Sequence, residues 1–89
     1  MFVEDQSQKV IFNMKYYTIK QDENLIKIYT AGGRCLGIAA EYKESSAAKA
    51  VIDETKELLK YCFRNKITCL FTFPDSDTIE KVTSNGQKA

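Results

Sequence analysis

The sequence predicts an α+β domain made of a three-stranded antiparallel meander, one long amphipathic helix and a fourth strand parallel to the first. Three observations carry this. Apolar residues alternate with polar ones through much of residues 10–41, the apolar period lengthens to 3.6 residues from Ser45 to Arg64, and an aromatic, β-branched run at 67–73 stops at Pro74.

The first strand spans 10–19, with Val10, Phe12, Met14 and Tyr16 on one face and Ile11, Asn13, Lys15, Tyr17 and Ile19 on the other. A polar turn at Gln21-Asp22-Glu23-Asn24 leads into a second strand, Leu25 to Thr30. Gly32-Gly33 then separates this strand from a third, Arg34 to Glu41. A two-residue loop there pairs Ile28 with Gly37 and scatters the apolar residues. A three-residue loop, Ala31 to Gly33, sets Ile28 opposite Leu36 and Ile26 opposite Ile38 and gathers one apolar face. The second register is the expectation, with Gly33 in the left-handed region, where the lack of a Cβ removes the steric cost.

Ser45 or Ser46 caps the helix. Ala48, Val51, Ile52, Thr55, Leu58, Leu59 and Cys62 form its apolar stripe, and Lys49, Asp53, Lys56, Lys60 and Arg64 line the opposite side. Asn65 is the expected left-handed stop. The fourth strand places Ile67, Cys69, Phe71 and Phe73 on one face. Asp77 followed by Glu80 has the spacing of a capping box, which predicts a short helix at 77–82. Residues 1–9 and 83–89 are expected to be flexible tails of a single domain, because each is short and polar-rich. The fourth strand lies beside the first, giving order 3-2-1-4, or beside the third by a right-handed crossover.

Composition excludes more than it includes. The 89-residue chain has a net charge of +1 and no histidine, which removes Ser-His-Asp triads, Cys-His nucleophiles, zincin helices and imidazole acid–base chemistry. Cys35, Cys62 and Cys69 are odd in number and contain no CxxC pair, so neither a disulfide framework nor a four-thiolate zinc site is expected. They read as small buried hydrophobes in a reducing, cytoplasmic setting. Met1 to Gln6 lacks the basic-then-apolar order of a signal peptide, and the longest apolar-or-glycine run, Cys35 to Ala40, is too short to span a bilayer. No cofactor, metal or membrane partner is expected.

Gly32-Gly33 has none of the spacing of a phosphate-binding loop and reads as a hairpin turn. Asp75, Asp77 and Glu80, with Glu54 on the helix, are the one carboxylate group with the composition of a divalent-metal site. The segment Phe71-Thr72-Phe73-Pro74-Asp75-Ser76, following a helix, resembles the ribonuclease H-like arrangement in outline. That family carries an acid in the middle of strand one, where this chain has Asn13. Residues 25–86 resemble in outline the coenzyme-binding half of an N-acetyltransferase, a resemblance that implies pyrophosphate binding at the helix start. The corresponding run, Tyr42-Lys43-Glu44-Ser45-Ser46-Ala47-Ala48, contains no glycine, and Glu44 opposes an anion there.

Without a catalytic constellation, the leading expectation is a small non-catalytic binding or regulatory module. A phage- or mobile-element-encoded modulator of a host protein suits its size and Lys-rich composition. One helix covers one face of a four-stranded sheet, and Ile11, Tyr17, Ile19 and Tyr29 then form an apolar surface for a protein partner or a second copy, unless the terminal segments cover it. Two alternatives stand beside it: nucleic-acid binding through Lys49, Lys56, Lys60 and Arg64, and a minimal N-acetyltransferase-like enzyme.

Overall fold

A computed structural model describes residues 1–75. These contain β1 (Phe2–Glu4), β2 (Ile11–Asn13), β3 (Tyr17–Asp22), β4 (Leu25–Thr30), β5 (Cys35–Glu41), α1 (Ser45–Asn65) and β6 (Leu70–Thr72). The α+β class, the antiparallel meander, the long helix and a parallel last strand are all present, but that strand lies parallel to β1 and not beside the expected first or third strand. They are arranged as two three-stranded sheets, β2-β1-β6 and β3-β4-β5. The expected helix at 77–82 and the tail at 83–89 lie outside the described residues.

The predicted first strand is two strands in two sheets. Asn13 breaks it: its Oδ1 accepts from Lys15 N at 3.0 Å and its carbonyl from Tyr16 N at 3.0 Å, a side-chain-assisted turn that competes with the ladder. Across the break Phe12 and Tyr17 remain in edge-to-face contact, 5.4 Å between centroids.

The first nine residues, expected to be a tail, supply the centre of the first sheet. β1 pairs antiparallel with β2 (Val3↔Phe12) and parallel with β6 (Val3↔Phe71), and Val3 is fully buried. The turn to β2 is organised by Asp5. Its Oδ1 accepts from Lys9 N (2.9 Å) and Val10 N (3.1 Å), and its Oδ2 from Ser7 Oγ (2.5 Å). Gln8 takes a positive φ of 62° to close the turn.

In the second sheet the three-residue loop is present: Thr30 N donates to Arg34 O, Gly33 has φ +91°, and Tyr29 pairs with Cys35. The expected register does not persist. A bulge shifts the ladder between Ile28 and Tyr29, giving Ile28↔Gly37, and a second shift gives Ile26↔Ala40. Leu36 and Ile38 therefore leave the core side and are about half exposed, at 47% and 56%. Gly37, at φ +148°, adopts a backbone conformation at the bulge that a side chain would strain.

Helix α1 lies over β3 and β4 and buries Ala48, Val51, Ile52, Thr55 and Cys62. Thr55 satisfies its buried hydroxyl by donating to Val51 O at 2.8 Å. The helix boundaries differ from expectation by one or two residues at the start, where Ser45 or Ser46 was expected to cap, and by one at the end. Glu44 is the N-cap without a side-chain cap bond, and Lys66, not Asn65, takes the left-handed C-cap conformation. Asn65 instead donates from Nδ2 to Tyr61 O. Gln21 ties the first helical turn to β3 by donating to Ser45 O at 2.9 Å.

Both sheets share one core, in which Val3 and Phe73 meet Ile26, Ala40, Tyr42, Val51 and Ile52. Gln6 joins them at the edge. Its N–H donates to Ala39 O, its Nε2 to Glu41 O and Pro74 O, and its Oε1 accepts from Glu41 N. Tyr42 adds a bond from its hydroxyl to Pro74 O at 2.8 Å, and burial, followed by the charge of Asp75, pushes that phenol well up and keeps it a donor.

Val3→Ala should lower unfolding stability by about 2 kcal/mol through lost burial and the cavity left behind. Thr18→Ala, on the exposed side of β3, should change it far less; urea unfolding of both variants checks the contrast. The Asp5 carboxyl supplies a pH test. Desolvation, the largest single influence on it, pushes its pKa up, but the bonds from Ser7, Val10, Lys9 and Gln8 together hold it below the usual 3.8. A depressed folded pKa stabilises above the unfolded value and is lost as pH falls through the folded one. The stability difference between wild type and Asp5→Asn should therefore shrink between about pH 5 and pH 2, measured as urea midpoints.

Candidate functional site

The register sorts the four residues predicted to share a docking surface into different places. Ile19 pairs with Ile28 on the helix side of the second sheet and packs against the core. Tyr17, two residues earlier on the same strand face, is half-buried against Phe12. Tyr29 lies opposite Thr18 on the other face, with Lys20 Nζ 5.0 Å above its ring. That face mixes Leu25 and the exposed Ile38 with charged side chains, and on it Lys27 Nζ is bonded to Asp22 Oδ2 at 2.6 Å. The pairing raises the Lys27 ammonium pKa above its usual value, chiefly through that hydrogen bond.

Ile11 stands apart from these three, on the outer face of the first sheet. Residues in register across a ladder share a face, so Val3, Phe12 and Phe71 point to the core, and Phe2, Glu4, Ile11, Asn13, Leu70 and Thr72 point away. Phe2, Ile11 and Leu70 are 37%, 54% and 55% exposed. Between them Thr72 Oγ1 donates to Glu4 Oε1 at 2.9 Å, so the polar pair within this face is already satisfied. The surface thus carries one exposed apolar side chain on each of three adjacent strands, among Glu4, Asn13 and Thr72.

Phe2 went unread in the sequence because a three-residue strand gives alternation too little length to register. Val3 between Phe2 and Glu4 was the only signal of it. Phe63, the most exposed large hydrophobic at 85%, was also unread; it lies beside Leu59 on the last turns of α1, where little of the helix is buried.

Lys49, Lys56, Lys60 and Arg64 all lie on the exposed side of α1. Two of them meet carboxylates: Lys49 Nζ lies 2.8 Å from Asp53 and Lys60 Nζ 3.4 Å from Glu57. The Lys49 hydrogen bond holds the Asp53 carboxyl below its usual range, helped by the charges of Lys49 and Lys56. Two of the four basic residues are thus engaged in i,i+3 or i,i+4 pairs of the kind that stabilise a solvated helix face.

Asp75 closes the described residues; Asp77 and Glu80 lie outside them. Among the described residues no three Cys, Asp or Glu side chains are grouped to hold a metal ion, and no helix is long and apolar enough to cross a membrane. At the helix start, where the acetyltransferase resemblance implies a pyrophosphate site, Glu44 occupies the N-cap and accepts from Ser46 Oγ at 3.3 Å.

The cysteines depart from expectation. Cys62 and Cys69 are joined by a disulfide, and Cys35 alone is a free, exposed thiol. Spacing did not announce the bond, because the left-handed turn at Lys66 brings the helix end back over the start of β6. The geometry thus offers one apolar strand face and one disulfide beside it. No protein-family model matches the chain, and no curated protein and no solved structure matches it significantly.

Proposed function

We propose that the protein is a non-catalytic binding module that docks a protein partner on the outer face of the sheet β2-β1-β6. The observation that carries this reading is the exposure of Phe2, Ile11 and Leu70 on three adjacent strands of one face. Isolated exposed hydrophobics need no explanation, whereas a contiguous set on a sheet marks a contact surface. Burying them against a partner removes apolar area at about 25 cal/mol per Å² before the costs of association. Glu4 keeps one hydrogen bond, from Thr72, when the face closes, and a donor on the partner completes it. The partner is therefore a protein surface of predominantly apolar character.

Ile11→Lys and Leu70→Lys place charges on this face at positions that are more than half exposed, so the fold tolerates them. Ile38→Lys, also exposed but on the other sheet, is the control. The test is quantitative capture from source-cell extract, followed by titration of the captured protein. Each of the first two changes should weaken binding at least tenfold, about 1.4 kcal/mol, and Ile38→Lys should leave it unchanged. Equal loss with all three variants, or loss with none, removes this reading. Light scattering over a concentration series decides whether the occupant is a second copy: a dimer that Leu70→Lys dissociates makes it one.

A further inference from the structure

We propose that Cys62 and Cys69 form a reversible dithiol–disulfide couple that controls the order of the outer face of β2-β1-β6. Its consequence for partner binding rests on the docking reading above; its chemistry does not.

The bond sits at a junction. Cys62 is in the last turn of α1 and is buried at 3% exposure, while Cys69 is partly exposed and immediately precedes Leu70 of the apolar face. The backbone between them is a tight turn, with Ile67 N donating to Cys62 O at 3.1 Å and Lys66 in the left-handed region. Cys69 O accepts from Phe2 N at 2.8 Å, the bond adjoining the Phe2↔Leu70 pair. One covalent link therefore fixes the start of a three-residue strand to the helix end, and both Phe2 and Leu70 depend on where that strand starts. No comparable link constrains the other sheet, whose strands have six or seven residues.

The exposure difference sets the direction of attack. A thiolate of a small dithiol reaches the Cys69 sulfur, the S–S bond breaks, and Cys62 leaves as a thiolate that takes up a proton. The second thiol of the reductant then displaces Cys69. Two electrons and two protons pass to the protein, which gains two thiols, and the reductant becomes a cyclic disulfide. A disulfide oxidant reverses the sequence. Such a couple is compatible with a reducing compartment, where a permanent structural disulfide is unusual.

The test uses the intact wild-type chain. Alkylation after denaturation without reductant should label one cysteine, Cys35, and after dithiothreitol all three. Hydrogen exchange should then show amides of residues 2–4 and 70–73 exchanging at least tenfold faster in the reduced protein, with 48–58 unchanged, and oxidised glutathione should restore the slow rates. Cys69→Ser should reproduce the reduced pattern without reductant. Three labels before reduction, or exchange insensitive to dithiothreitol, overturns the proposal. Uniformly faster exchange across the chain also overturns it, by making the bond a staple of the whole fold. These readouts involve no partner, so a failed capture experiment leaves them intact, and a failed exchange experiment leaves the capture result standing.

Discussion

The fold depends on Val3 being buried at the centre of a sheet that joins two strands from the start of the chain to one that follows the helix. β1 lies between β2 and β6, and each of those strands has three residues. Without β1 neither has a partner in that sheet, and an isolated pair of such strands is marginal in water. The inward residues Val3, Phe12 and Phe71 then turn a two-layer helix-on-sheet arrangement into one core closed on a further side. Phe73, one residue beyond β6, is buried there against Phe71 at 5.7 Å, edge to face.

Gln6 is the polar counterpart of Val3. It follows β1 and satisfies backbone groups on β5 and beyond β6, so the edge of one sheet continues into the other without a buried unpartnered group. The same contact protects the end of β5, the strand that would otherwise present its outer carbonyls and amides at a free edge. What remains exposed is decided by this closure. The helix covers the inner face of the second sheet and the first sheet covers the flank of the core, which leaves Phe2, Ile11 and Leu70 exposed on the first sheet's outer face.

Long-period features were legible in the sequence, and features set by single residues were not. The helix declared itself through a stripe from Ala48 to Cys62, repeated over about four turns. The β3–β4–β5 meander declared itself through turn residues and alternation. Asn13 was read as a strand position when its side chain makes a turn, so one strand was expected where two sheets begin. At the glycine pair the loop was legible because Gly33 alone accommodates its φ, but the ladder beyond it was not. A bulge costs little locally, and it exchanges Leu36 and Ile38 for Ala40 beneath the helix, where a small side chain lets the layers approach. Of the expected surface, only Ile11 lies on the face now proposed; that an apolar face would be left over followed from counting layers, while its location required β1.

Position in the fold also separates the two sheets energetically. The second sheet pairs six residues of β3 with six of β4 and lies under the helix, whereas each pairing in the first sheet covers three residues and leaves one face open. Segments with few ladder bonds and one solvated face open at lower free energy than the core elements they adjoin. The first sheet therefore has fewer ladder bonds holding it than the second, and it carries Phe2, Ile11 and Leu70 on its open face. A partner that binds only the closed sheet stabilises it by mass action, so association and ordering of β1 and β6 are one linked equilibrium. The proposed Cys62–Cys69 couple acts on that same equilibrium from beside the surface rather than within it, because Cys69 immediately precedes Leu70.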